Sequence, residues 1–329
     1  MTTTLPAAPA RLTQDTRQPA FGVYAGVVPE LDWQPLPLSF GQRLLAPMRH
    51  KRWQYVAVAH RDFVFAAAVV DAGWIGSAFA YLFDRRSGTL LADLSANSPP
   101  LSRPRLARRP FGDAGFAHGG LTLAFRREDD RLALELAGKG LSAAAHIALP
   151  AQEQVLAAIA PGDWLAHATH KTSALPVSGF VDCGGQRFSL DGGHASLDCS
   201  DGLLARETGW HWASAHGPDI GFNLQAGYMG DAENAVWLNG HIFRTAAARF
   251  RFDSHKPLST WHIDTEDGLV SLTFTPEGAR SQNQNLLIAA SRYIQPVGRF
   301  DGSVTHPDTG AKHLVSALCG VTEDHFSRW

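Results

Sequence analysis

Leu121-Thr-Leu-Ala-Phe-Arg-Arg-Glu-Asp-Asp-Arg-Leu-Ala-Leu-Glu-Leu136 decides the fold class. Leu121, Leu123 and Phe125 share one parity, and beyond the Glu128-Asp-Asp130 turn Leu132, Leu134 and Leu136 do the same. A period of two marks a strand with one face on a core and the other toward water.

The pattern continues outward in both directions. Trp53–Ala59 and Phe63–Val70 flank His60-Arg-Asp62 as a hairpin, and Asp84-Arg-Arg-Ser-Gly88 turns Ile75–Phe83 into Thr89–Leu94. Downstream, Asn239-Gly240 is a short-hairpin signal. Trp261 and Ile263 alternate with His262 and Asp264, and Val270, Leu272 and Phe274 alternate with Ser271, Thr273 and Thr275. The best helical stretch is Gln152–Ala160, between Pro150 and Pro161. Strand signals at roughly 8–12-residue spacing with almost no helix predict an all-β protein of two antiparallel barrels or sandwiches. The expected division is a flexible tail over 1–20, a first β domain over 21–162 and a second over 163–329, joined at Pro161-Gly-Asp163.

Bulk properties narrow the function classes. The chain has 329 residues, 45% apolar and 18% charged, with a net charge of −2. Arg103-Pro-Arg-Leu-Ala-Arg-Arg109 is the one basic cluster and reads as a solvated loop, so nucleic acid is not an expected partner. Cys183, Cys199 and Cys319 are odd in number and form no C-x-x-C pair, which fits reduced thiols in the cytoplasm rather than a disulfide framework or zinc site. Met1–Ala20 lacks the apolar core of a signal peptide, and no apolar run suggests an integral membrane segment. Nucleotide and serine-hydrolase motifs are missing, and His167-x-x-His170 is a weak metal pair, so no cofactor or metal is expected. The oligomeric state stays open.

Six segments carry a family likeness. Lys51-Arg-Trp-Gln-Tyr55, Val70-Asp-Ala-Gly-Trp74, Leu197-Asp-Cys-Ser-Asp-Gly202, Gly209-Trp-His-Trp-Ala-Ser214, Gly221-Phe-Asn-Leu224 and Gly320-Val-Thr-Glu-Asp-His-Phe-Ser-Arg-Trp329 resemble a bacterial family of uncharacterised proteins, domain of unknown function 2804. More distantly, their order is similar to the paired lipocalin-like folds of carotenoid hydratases and tocopherol cyclases. That likeness implies two lipocalin-like antiparallel barrels packed side by side, in a group that converts isoprenoid or polyketide-like substrates without redox cofactors. It transfers no catalytic residue to this chain.

Site candidates therefore come from residue chemistry. Asp198 in a strand-like run is a potential proton donor, or else a turn cap. His211 could protonate an alkene or carbonyl while Trp210 and Trp212 stabilise positive charge, yet alternation puts His211 opposite both unless a bulge intervenes. Asn223 and Gln225 share one parity and could orient a polar group or water. Glu323, Asp324 and His325 crowd two carboxylates beside an imidazole, anchored by Phe326 and Trp329. Catalytic candidates are thus Asp198, His211 and Glu323, with Trp210, Trp212, Asn223, Gln225 and His325 binding substrate. Lys171 reads as a solvent-facing strand lead-in. The leading reading is a cofactor-independent hydratase, dehydratase, cyclase or isomerase acting on a hydrophobic small molecule. Its rivals are a non-catalytic lipid carrier and a module whose barrels are filled by their own side chains.

Overall fold

The computed structural model describes residues 4–13, 17–162, 165–285 and 290–328. These form two curled antiparallel sheets of fifteen and nine strands, the side-by-side barrel arrangement expected of paired lipocalin-like units. The first sheet runs from Thr89–Asn97 through Gly76–Asp84, Phe63–Asp71 and His50–Ala59 to His194–Leu203, then on through Leu175–Cys183 to the Leu121–Glu128 and Arg131–Gly138 pair. Ala166–Lys171 branches from His194–Leu203 and carries Leu156–Pro161 and Gly22–Ala25 outward. The second sheet centres on Ile220–Gly227, Glu207–His216, Lys312–Arg328, Ala290–Thr305 and Val270–Asn285, in that order.

Each barrel has its own filling. Val56, Phe65, Leu82, Leu123, Phe125 and Leu134 pack inside the first. Ala213, Phe222, Leu224, Trp261, Phe274 and Phe300 pack inside the second. The opposite parity of the facing strands forms a third cluster between the barrels, where Tyr55, Val64, Ala66, Tyr81 and Phe83 meet Trp212, Val297 and Val321. This explains why Phe63-Val-Phe-Ala-Ala-Ala-Val-Val70 reads as a continuous apolar run, for both of its faces are covered.

Polar clamps fix the barrels together. Arg85 donates to both oxygens of Glu277 at 2.9 and 2.8 Å, a bidentate pair across the interface. Arg280 reaches Asp93 Oδ1 and Ser95 Oγ, both at 2.8 Å, and Tyr81 donates to Gln295 Oε1 at 2.6 Å.

Three expectations meet a different structure. The described part of the segment expected as a loose tail is docked: Leu12 and Ala20 are buried with Val28, Leu31 and Trp33 against Ile159 and Ala168, and Ala25 donates to the Pro6 carbonyl. Gln152–Ala160 is not a helix; Gln152–Gln154 is a single 3-10 turn and Leu156–Pro161 a strand. Leu156 to Ala160 is buried on both faces, which erases the alternation that would have marked it. The change of sheet falls at Leu204-Ala-Arg206, because 166–203 pair within the first sheet. Residue 163 of the expected junction lies outside the described residues, and Pro161 ends a strand of the first sheet.

The one α-helix among the described residues, Phe40–Arg49, was not foreseen from the sequence. Ser39 caps it by accepting from Gln42 N, while Gln42 Oε1 accepts from Ser39 N. No helix among the described residues is long and apolar enough to cross a membrane.

The backbones of the two barrels approach closely at Gly278, where a Cβ would lie 2.3 Å from Gly88 O and 2.8 Å from Phe83 Cε2. Gly278→Ala should therefore cost about 1–3 kcal/mol through forced separation. Gly115→Ala, with nothing within 4 Å of the new methyl, serves as control. Equal melting temperatures for the two variants would show that the interface is loose at this point.

Candidate active site

A cavity of about 270 Å³ opens between the two barrels. Its wall is mostly apolar, with Trp53, Tyr55, Val70, Phe79, Trp210 and Trp212 its chief large members. Ala68 and Ala72 line it with small side chains, where bulkier residues such as Tyr81 and Phe83 fill the interface elsewhere. Among its lining residues, Trp74, Ile75, Ser291 and Arg328 are half-buried and mark where it meets solvent.

The first polar group on the wall is Lys171 with Asp198 and Glu233. Lys171 and Asp198 are direct cross-strand partners on Ala166–Lys171 and His194–Leu203, and their ammonium and carboxylate (Oδ2) are hydrogen-bonded. Glu233 comes from the second barrel and pairs with Lys171 at 3.2 Å. Asn223 Nδ2 fixes that segment by donating to the Glu233 carbonyl at 2.9 Å. Burial, with the Asp198 charge, raises the pKa of the Glu233 carboxyl, and Lys171 offsets this only in part. Burial opposes the Lys171 charge, but the two carboxylates outweigh it and hold its pKa above the ordinary value. Asp198 Oδ1 is buried and has no hydrogen-bond partner among the described residues. The cluster thus joins a carboxyl that favours its proton to a carboxylate with a spare acceptor.

The second polar group is centred on Glu323. Trp210 Nε1 donates to its Oε1 at 2.9 Å, and Gln295 Nε2 donates to its Oε2 at 2.9 Å. His325 Nδ1 lies 3.0 Å from Oε1, and its Nε2 lies 2.7 Å from Ser327 Oγ. The His325 ring stacks on Trp210 with centroids 3.9 Å apart. Glu323, His325 and Trp210 therefore form one rigid unit, with both carboxylate oxygens engaged. Tyr55, Tyr228 and Tyr293 complete the wall; burial pushes their phenols up, so they stay protonated and can serve as donors.

Of the sequence candidates, Asp198, Trp210, Trp212, Glu323 and His325 all line this one cavity. His211 does not. The ladder from Glu207 to Ala215 runs with no register shift, so alternation is unbroken and the bulge that would bring His211 around is not there. His211 lies instead 3.5 Å from Asp324 and beside Phe250 and Phe252, on the other side of the strand. Asn223 is buried behind the wall, where its Oδ1 accepts from Trp212 Nε1 at 2.8 Å. Gln225 is also buried, with an amide that meets no hydrogen-bond partner among the described residues. Trp329 lies outside the described residues.

Sequence reasoning missed Lys171, Glu233 and Tyr228 among the wall residues. Lys171, expected in solvent, is 5% exposed. Glu233 sits in a polar turn stretch with nothing local to distinguish it. Tyr228 shares parity with core-facing Phe222 and Leu224 but reaches the cavity, because the chain leaves extended geometry at Gly227 (φ +132°). His167 packs on this side between Trp53 and Tyr228, whereas His170 accepts from Val28 N and faces Phe111. Their different surroundings keep the two imidazoles from converging on one ion. No group of three or more His, Cys, Asp or Glu side chains among the described residues could hold a metal.

The family profile for domain of unknown function 2804 matches residues 7–329. The chain belongs to that family. No curated protein matches the sequence. Among solved structures, a candidate AttH from Nitrosomonas europaea superposes with a TM-score of 0.55 at 15% identity, covering 88% of this chain and 96% of its own. Kievitone hydratase from Nectria haematococca gives 0.52 at 10% identity, covering 92% and 97%. At such identities the likeness establishes the shared two-barrel fold.

The buried imidazoles predict the acid response. Burial lowers the pKa of His167, His170 and His216 from 6.5 to about 3, with Lys171 adding to the effect on the first two. Between those values the unfolded chain binds protons that the native state refuses, so stability falls as pH drops from 6.5 toward 3. Denaturant unfolding of His216→Gln at several pH values should show a slope shallower by about 1.4 kcal/mol per pH unit. A slope unchanged from wild type would mean that His216 is protonated in the native state.

Proposed function

We propose that the protein is a cofactor-independent enzyme that adds or removes water, cyclises or shifts a double bond in a hydrophobic small molecule by acid–base catalysis. The observation that carries this reading is the Lys171, Asp198 and Glu233 cluster set into an otherwise apolar, tryptophan-rich wall. An apolar molecule is held by the aromatic wall, and only a few groups are able to exchange a proton with it.

In the hydration direction, Glu233 transfers its proton to an alkene carbon, forming the C–H bond and leaving a carbocation. The π faces of Trp210 and Trp212 stabilise that charge. Water forms the C–O bond and gives its extra proton to the free Oδ1 of Asp198. Lys171, in contact with both carboxylates, returns the proton to Glu233 and restores the starting state. Loss of a different proton from the same cation gives an isomer, and internal attack gives a ring. Glu323 acts through others: it positions Trp210 and His325 against the substrate. That one structural neighbour is a hydratase agrees with this chemistry but does not supply it.

A carrier would need a ligand space free of reactive groups. Here the barrels are filled and the space between them carries three carboxylates and an imidazole, which favours catalysis.

The test is incubation with an apolar metabolite extract of the source cells in deuterated water, followed by mass spectrometry. Turnover should appear as gain or loss of water, or as deuterium at carbon without other change. Asp198→Asn and Glu233→Gln should each lower it by about a hundredfold or more, the usual scale of general acid–base catalysis. His211→Gln should leave it unaltered. Wild-type rates in Asp198→Asn and Glu233→Gln, or a collapse in His211→Gln alone, would refute the assignment.

A further inference from the structure

The helix Phe40–Arg49 is turned inside out. Phe40, Leu44 and Met48 recur every four residues along one stripe, with Leu45 beside it, and these four are 86%, 71%, 55% and 46% exposed. The half-buried residues of the helix are Gln42, Ala46 and Arg49, and none is fully buried. An amphipathic helix in a globular protein ordinarily points its apolar stripe at the core. This one points it away.

Its position gives the stripe a meaning. The end of the helix is tied to the Ala72–Ile75 segment at the cavity mouth. Lys51 Nζ donates to both the Met48 and Ala72 carbonyls, and a Cβ on Gly73 would sit 2.7 Å from the Pro47 carbonyl. Leu101, 84% exposed, donates its N–H to the Trp74 carbonyl from the other side. Ala72, Trp74 and Ile75 themselves line the cavity. Exposed apolar side chains thus stand beside residues that line the cavity.

The surrounding charge selects the partner. The helix bears Arg43 and Arg49 and no acidic residue. Arg103 and Arg105 follow Leu101; the first covers buried Asp71 together with Arg52, and the second extends beside Asp113 at 3.6 Å. Exposed apolar side chains on a helix whose only charges are arginines match an anionic lipid surface, where the stripe enters the acyl boundary and the guanidinium groups remain among the headgroups. A second copy of this chain would set arginine against arginine.

We propose that the Phe40–Arg49 helix and the Leu101 loop dock the cavity mouth onto an anionic phospholipid bilayer, from which the apolar substrate passes directly between the barrels. The substrate passage rests on the function proposed above; the docking does not, and is measured without substrate or turnover.

The experiment is flotation of the full chain with vesicles of phosphatidylcholine alone or mixed with phosphatidylglycerol. Binding is expected to the anionic vesicles, weakening as salt rises. The triple variant Phe40→Ser/Leu44→Ser/Met48→Ser should lose it, partition falling about tenfold for each apolar side chain removed. Arg43→Glu with Arg105→Glu should weaken it and flatten the salt dependence. Unchanged circular dichroism and melting temperature would show that these exposed positions are not needed for folding. No flotation with anionic vesicles, or equal flotation of the triple variant, overturns the proposal. So does light scattering that finds a dimer dispersed by the triple variant, which would assign the stripe to self-association.

Discussion

The strands that face each other between the two barrels each have two faces and no spare one. Alternation sends Val56 and Val58 into the filling of the first barrel and Tyr55 into the gap. It sends Ala213 and Ala215 into the second barrel and Trp210 and Trp212 into the gap. This constraint fixes both where side chains can meet a ligand and which ones cannot. Side-chain size then decides where the interface closes and where it opens. Phe83, Tyr81, Val297 and Val321 pack together across the interface, while Ala68 takes up little room on the cavity wall.

Against so much apolar contact, the buried ionic cluster is costly. Each buried charge loses several kcal/mol of hydration, which a neighbour must offset. Lys171 does so for two carboxylates from different barrels, and the offset is incomplete: Glu233 holds its proton more tightly, and one oxygen of Asp198 has no partner among the described residues. An imbalance of that kind favours proton movement over stability. Glu323 shows the contrast within the same cavity. Both of its oxygens are occupied by Trp210, Gln295 and His325, which suits it to hold other groups in place.

The fold was legible wherever strands have one wet face. Leu121 to Leu136 and Val270 to Phe274 announce themselves by period two, and both are strands. Leu156 to Ala160 is covered on both sides and gave a helical reading instead. The Phe40–Arg49 helix escaped notice because its apolar stripe serves no core. For the site, Trp210, Trp212, Glu323 and His325 stood out as unusual residues on short stretches of strand. Lys171 and Glu233 did not, since their partnership spans two barrels and no local spacing encodes it. In the tryptophan–histidine–tryptophan motif no bulge intervenes, and an unbroken strand separates the histidine from the tryptophans.

The claim at the centre of this account is that the ligand lies between the barrels and touches the ionic cluster. A crystal structure of protein purified from its own source, with its co-purifying small molecule retained, tests it most directly. The account predicts density against Trp53, Tyr55, Trp210 and Trp212, with a ligand atom in reach of Asp198 or Glu233. Density inside the filling of either barrel, or a gap closed by its own side chains while the ligand sits elsewhere, would contradict it.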